Sequence, residues 1–379
     1  MVSYESKIFN HDSDYTIGVE EEYMLCDPSS GELINRAQEI FKNADDELKE
    51  RLSYELIYSE IESNTKICID ANEAINQVKL LRNKLKNLGN KLGYDLGISG
   101  THPTALPNDQ LFVNTKGYNW VSDQLSYYAK RNITFALHVH VAVPNADLCI
   151  SAVNALRRWI PPLLSLSANS PFFEGEKTGM RSSRTFQFGA FPRTNIPETF
   201  KNYDHFTSIV KKFINTETID KTRQIWWKIR PHLDYGTIEF RMLDVQRSLK
   251  RTHMFIALLQ ALTRTAILEK KNNTLKEDLS LEILNDGLWK ASRFDFSSKL
   301  IDSADGATLI MSEFINKMLE YCYDSLVHFG NEFIISDVKN ILDFGTEGDQ
   351  QLKVYNKKGI EKLKLFLIDN VKYNLKKEE

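Results

Sequence analysis

Three consecutive glutamates, Glu20, Glu21 and Glu22, stand inside the segment Tyr15-Thr-Ile-Gly-Val-Glu-Glu-Glu-Tyr-Met-Leu25. Its β-branched and aromatic residues spell a strand, and Asp27-Pro-Ser-Ser-Gly31 ends it in a turn. Alternation along a strand puts Ile17, Val19, Tyr23 and Leu25 on one face, with Glu21 among them. Gly18, Glu20, Glu22 and Met24 fall on the other. Two carboxylates on one sheet face repel each other, and a buried charge needs a partner. Two arrangements meet that demand. One is a solvated edge strand with its glutamates in water. The other is a face built around a divalent cation such as Mg²⁺, which takes carboxylate oxygens. This stretch alone leaves both open.

Two later segments repeat the pattern. Asn132 to Val143 reads as a strand ended by Pro144. His138 and His140 share one of its faces, and Leu137, Val139 and Val141 share the other. Two of the eight histidines on one face fit a metal or phosphate role, or a structural one. Thr237 to Asp244 also reads as a strand. Glu239 and Arg241 oppose Ile238, Phe240 and Met242 on it. An ordinary cross-strand salt-bridge set explains that pair equally well. Together the three strands imply one sheet with a packed side and a polar, concave side. Ser53 to Thr65 carries Glu55, Glu60 and Glu62. Glu55 and Glu62 share a face on a helix but not on a straight strand, so the local structure stays open. Gly175 to Pro197 carries Arg181, Arg184 and Arg193 amid Gly and Pro. It is either a substrate loop, whose arginines bind oxyanions in a bidentate fork, or a solvated surface loop.

The 48 Lys and Arg nearly balance 51 Asp and Glu, for a net charge of −3, which gives no overall case for nucleic-acid or anionic-membrane binding. Cys26, Cys68, Cys149 and Cys322 contain no C-x-x-C pair and read as reduced thiols. The first residues lack the apolar run of a secretory signal, and no segment is apolar for long enough to span a bilayer. A soluble cytoplasmic protein is expected. Phosphate-loop, dinucleotide-binding, zinc-protease and nucleophile-elbow motifs are absent, so any ATP must be held through metals and arginines. Helical spacing marks Asn72–Leu92, Ala146–Ser167 interrupted at Pro161-Pro162, and most of the chain after Ser248. The expected organisation is a flexible lead (1–14), one catalytic domain (15–372) and a frayed tail (373–379).

Several motifs stand in an order that resembles the type 2 glutamate–cysteine ligase family, in its bacterial carboxylate–amine ligase branch. They are Ile17-Gly-Val-Glu-Glu-Glu-Tyr, Glu55 to Glu62, Gly100-Thr-His-Pro, Leu137-His-Val-His-Val, Ser182-Ser-Arg184, Ile229-Arg-Pro, Thr237-Ile-Glu-Phe-Arg-Met-Leu-Asp244 and Asn285-Asp-Gly-Leu-Trp-Lys-Ala-Ser-Arg293. Each is short, and their shared order carries the resemblance over roughly residues 15 to 370. One departure is Ala136, where a glycine is expected before Leu137-His138.

The resemblance implies an α+β, glutamine-synthetase-like catalytic fold: a curved antiparallel sheet with helices packed on its outer side. It implies an ATP-dependent ligase that joins a carboxylate, usually the γ-carboxylate of glutamate, to an amine through an acyl phosphate, with weak glutamate–cysteine ligase activity. It implies two or three Mg²⁺ ions, with Mn²⁺ as a substitute, held by Glu20, Glu22, Glu55, Glu62, His138 and Glu239. Arg241 and Arg184 match arginines at the transferred phosphoryl group and the acyl donor. Arg230, His140 and Arg193 are nucleotide-side candidates. Small-molecule substrates are implied, and homodimerisation too, although no residue here argues for the latter. A phosphotransferase or a ligand-binding protein on the same fold is the alternative.

Overall fold

The computed structural model describes residue 9 and residues 14–377. The expected N-terminal lead therefore lies, apart from residues 9 and 14, outside the described residues. The strands are β1 (Ile17–Cys26), β2 (Leu52–Ser53), β3 (Glu60–Asn64), β4 (Asp95–Gly97), β5 (Ala136–Ala142), β6 (Phe172–Phe173), β7 (Glu176–Lys177), β8 (Ile229–His232), β9 (Thr237–Asp244), β10 (Lys299–Ile301) and β11 (Thr308–Ile310). The main sheet runs β2-β3-β1-β5-β9-β8, with β4 also on β1, and its pairings are antiparallel. β6–β7 and β10–β11 are separate two-stranded ribbons.

Alternation sets the register. Val19 opposes Val139, and Val139 opposes Phe240, on the apolar face. Glu20 opposes His138, Glu22 opposes Glu62, and His140 opposes Glu239 on the polar face. A slip of one residue would put these charges into the core. Leu137 pairs with Leu243 but Val139 with Phe240, so β9 carries one extra residue there. This bulge sets Arg241 and Met242 opposite His138 and brings a cation to the middle of the polar face.

The helices Ala71–Leu92 and Leu249–Lys271 cover the apolar face. The first is capped by Asp70, whose side chain accepts from the Glu73 N–H, and ends at Gly93 in the left-handed conformation that glycine favours. Val78, Leu81 and Leu85 of its apolar stripe are buried in the core. The chain from Ala146 breaks at the 3₁₀ turn Arg157–Trp159, not at the prolines. Pro161 and Pro162 fall in the first turn of the next helix, where a missing N–H leaves no bond unmade. A helix Tyr203–Asn215 appears where no element was expected, and the β10–β11 ribbon stands in the stretch after Ser248 that was expected to be mostly helical. The last helical stretch, Glu347–Lys377, is kinked at Gly359. Among the described residues no helix is long and apolar enough to cross a membrane.

Glu21, the odd carboxylate on the apolar face, meets Arg82 of the Ala71–Leu92 helix. Arg82 Nε lies 2.9 Å from Oε2 and its Nη2 2.7 Å from Oε1. Both residues are buried. Tyr23 Oη donates to Glu21, and Arg82 donates to the carbonyls of Gln246 and Arg247. One guanidinium thus ties β1 to the segment that follows β9. Removing one partner of such a pair leaves a buried charge unmatched. Arg82→Met is expected to destabilise the protein by about 3–5 kcal/mol in urea denaturation. The double variant Arg82→Met with Glu21→Leu should recover most of that loss. Equal loss in both variants would show that the ion pair is not the cause.

Candidate active site

The polar sheet face forms the floor of an open cavity of ≈ 1510 Å³. The helix Lys116–Leu125 and the segment Asp220–Trp226 supply further walls. The six expected ligands and His140 gather at this face in three sets, whose donor atoms lie within 4.8 Å of one another in each set. Glu22, Glu55 and Glu62 form the first, Glu20, Glu62 and His138 the second, and Glu20, His140 and Glu239 the third. Glu20 and Glu62 each serve two sets, so the sets run as a chain across β3, β1, β5 and β9. Glu55 stands in the loop between β2 and β3, not on a helix with Glu62.

The protein compensates these carboxylates unequally. Burial pushes the Glu20 carboxyl up, but His140 and the hydrogen bond of His138, with Nδ1 at 3.2 Å, outweigh it and hold it well below the usual carboxylate range. Burial likewise opposes ionisation of Glu239, and Arg230 and Arg241 overcome it. Arg230 Nε lies 2.5 Å from Glu239 Oε2, and Arg241 donates to Oε1. At the other end, burial and the Glu22 charge push Glu55 up to about 8. Burial and neighbouring carboxylates also raise Glu60 and Glu62 well above the ordinary value. Nε2 of both His138 and His140 is buried without a hydrogen-bond partner, so each ring keeps a free ligand atom facing the carboxylates. Oxygen-rich sets with one imidazole suit Mg²⁺ or Mn²⁺. Both histidines therefore face the acidic groups, each in its own set.

Arg184 begins the short helix Ser183–Gly189, where a network around Asp244 at the end of β9 places it. Asp244 is fully buried and accepts from the Asn169 N–H and from Ser170 Oγ and Ser182 Oγ. Its Oδ1 is 4.0 Å from Arg184 Nη1, and Arg184 also donates to the carbonyls of Arg241 and Met242. Gly100 is required beside this carboxylate, because a Cβ there would stand 2.7 Å from the Asp244 carboxyl carbon. Ala136 is accommodated: its N–H donates to Glu22 Oε2 at 2.5 Å, so the departure from glycine leaves this backbone contact intact.

Arg184, Arg230 and Arg241 line the cavity. Arg193 does not. Its guanidinium lies 6.0 Å from the ring centroid of Trp226, and Trp226 forms the wall there. Arg193, with its backbone in the left-handed region (φ 58°), stands behind this wall, and its carbonyl accepts from the Trp226 N–H at 2.9 Å. Three residues escaped the sequence reading as site residues. Glu60 shares the polar face with Glu62 by strand alternation, and its side chain lines the cavity. His232 and Tyr235 stack at 4.3 Å beside His140. A period-two reading of Glu60-Ile-Glu62-Ser-Asn64 would have found the first.

The sequence matches the profile of glutamate–cysteine ligase family 2 over residues 16–365. A relative from Solibacter usitatus, provisionally named glutamate–cysteine ligase 2, is 32% identical over 95% of this chain and 94% of its own. One from Rubrobacter xylanophilus, provisionally named glutamate–cysteine ligase 2-1, is 33% identical over 92% of each chain. The crystal structure of glutamate–cysteine ligase from Francisella tularensis in complex with AMP has a TM-score of 0.74 to this chain. It shares 11% identity with it, over 98% of this chain and 90% of the other. A bifunctional glutathione synthetase from Pasteurella multocida gives a TM-score of 0.71 at 12% identity, over 96% and 53%. The two structures share the α+β fold, and the profile and the relatives carry the assignment further: the chain belongs to glutamate–cysteine ligase family 2, a family of ATP-dependent carbon–nitrogen ligases.

Proposed function

We propose that this chain uses ATP to activate a carboxylate, the γ-carboxylate of glutamate in the first instance, as an acyl phosphate and passes the acyl group to an amine. Glutamate–cysteine ligation is expected as a weak activity. The observation that carries this reading is the juxtaposition of three linked carboxylate sets, two of them with an imidazole, with the arginines that line one cavity. Phosphoryl transfer to a carboxylate brings two anions together, and positioning with charge neutralisation does most of the work. Two or three Mg²⁺ ions, or Mn²⁺, held by Glu20, Glu22, Glu55, Glu62, His138, His140 and Glu239 would supply that neutralisation on the nucleotide side. Glu239 holds Arg230 and Arg241 in fixed positions, so their forks are set before substrate arrives. Asp244 does the same for Arg184 through the helix start. In the first step a carboxylate oxygen bonds to the γ-phosphorus and ADP leaves. In the second the amine bonds to the acyl carbon and phosphate leaves. The four buried free thiols fit a reducing compartment such as the cytoplasm.

ADP formation measured with ATP, Mg²⁺ and glutamate, with and without a panel of amines, tests this reading. Amine-dependent ADP release with the mass of the amide is expected. Release with no amine requirement and a stable phosphorylated product would make the chain a phosphotransferase. Glu20→Gln and Arg241→Met should each lower kcat about 100-fold or more while leaving the circular dichroism spectrum unchanged. Wild-type turnover in either variant would contradict the site assignment.

The raised carboxyls give a second test. A group that binds its proton more tightly folded than unfolded stabilises the fold below the unfolded pKa, and that stabilisation is lost as pH rises through the folded pKa. For Glu55 this window runs from the ordinary value of 4.5 up to about 8. In metal-free buffer, Glu55→Gln should therefore gain stability relative to wild type as pH rises across that window. Mg²⁺ should raise the wild-type melting temperature more at the top of the window than at the bottom, because the ion displaces protons. A variant-to-wild-type difference that does not change with pH would contradict the charge balance described here.

A further inference from the structure

A buried cation without a partner stands beside the cavity. Lys228 immediately precedes β8, is 2% exposed, and its Nζ makes no hydrogen bond. It lies 5.3 Å from the ring centroid of Phe188. The guanidinium carbons of Arg184 and Arg241 lie 5.7 and 6.0 Å from the same centroid. Three cations thus surround one aromatic ring. Nε of Arg184 and Nε of Arg241 are also buried without partners. Arg230 joins this group through Glu239, which it shares with Arg241.

The charges do not balance. The carboxylates paired with these four cations are Asp244, near Arg184, and Glu239, between Arg230 and Arg241. Within these pairs one positive charge is left over while the Lys228 amine is neutral and two once it is protonated, the charge of a phosphoryl dianion; Glu20, Glu22 and Glu60 also act on these arginines electrostatically. The groups facing Lys228 are Arg184 from the helix Ser183–Gly189 and Arg241 and Asp244 from β9. Burial, then Arg184 and Arg241, pushes the Lys228 ammonium down to about 7. Unpaired buried donors destabilise a fold, and several converging on one place mark a site for a missing anion.

We propose, building on the ligase reading above, that Lys228 is a positioning residue for the transferred phosphoryl group. Arg184, Arg241 and Phe188 line the cavity, and Lys228 lies behind the Phe188 ring. Its charge acts on the oxyanion across that ring, in a medium that screens it far less than water does. An arriving dianion draws a proton onto the amine, so binding and protonation are linked.

Sulfate tests this directly, because it is a tetrahedral dianion whose own charge is constant near neutral pH. Calorimetric titration of wild type above pH 7, in buffers of different ionisation enthalpy, should show proton uptake with sulfate binding. In Lys228→Met the uptake should vanish and the affinity fall about tenfold, which is 1.4 kcal/mol. In Lys228→Arg the affinity should persist and the proton uptake disappear. The melting temperature of Lys228→Met should equal or exceed that of wild type, because the variant removes an unpartnered buried charge; a merely structural lysine would lower it. Equal sulfate affinity and equal proton uptake in wild type and Lys228→Met would overturn the proposal, as would failure of wild type to bind sulfate. Sulfate binding needs no turnover. Loss of amine-dependent ADP release with the sulfate linkage intact would therefore sink the ligase reading and leave this anion site standing.

Discussion

Like-charge repulsion on one face of one sheet governs this molecule. Glu20, Glu22, Glu60 and Glu62 project from adjacent strands into a single cavity, with Glu55 beside them and Glu239 buried next to Glu20. The protein itself neutralises one side of that array. His138, His140, Arg230 and Arg241 keep Glu20 and Glu239 ionised. It leaves the other side bare, and Glu55, Glu60 and Glu62 are driven toward protonation. On the proposed function, divalent cations at the bare side and anions at the cationic one would complete an array divided in this way. The same imbalance that costs stability is the capacity to bring ATP and a carboxylate together.

Holding such a face open requires a rigid back. The apolar side of β1, β5 and β9 packs into a continuous core with two long helices. Glu21 and Arg82 clamp that layer from within. Asp244 extends the control to the cavity rim, since it orders Ser170, Ser182 and Arg184 from the end of the same strand that carries Glu239 and Arg241. The bulge in β9 is the one irregularity in the central pairing, and it delivers Arg241 opposite His138. The proposed metal ligands and phosphate-facing arginines are thus set mostly by backbone register, which moves less than any loop.

What the sequence disclosed follows from period two. In β1, β5 and β9 the ionisable residues fall mostly on one alternating face, with Glu21 the exception, so the face of Glu20, Glu22, His138, His140, Glu239 and Arg241 was legible without a structure. Glu60 was not singled out, because the seven-residue spacing of Glu55 and Glu62 left helix and strand open where a loop meets a short strand. β8 escaped because it is four residues long, contains Pro231 and forms a sheet edge, so Lys228 and Arg230 could not be placed on a common face. The partner of Glu21 lies 61 residues away on a helix, beyond any local pattern. Arg193 looked like Arg184 in a loop rich in Gly and Pro, but Arg184 stands in a short helix beside Asp244 whereas Arg193 packs on Trp226. The family resemblance supplied the order of motifs and the reaction class. The charge balance came from the structure alone.

The acyl phosphate is the chemical centre of this account. Its formation, as proposed, would explain why carboxylate-rich sets and a cluster of cations stand side by side. Glutamate labelled with ¹⁸O in its γ-carboxylate, incubated with ATP, Mg²⁺ and an amine that supports turnover, reports on it directly. The account predicts that each amide formed releases one phosphate carrying one ¹⁸O atom from the carboxylate. Amide formation with unlabelled phosphate would contradict it, because the carboxylate oxygen would never have been bonded to phosphorus.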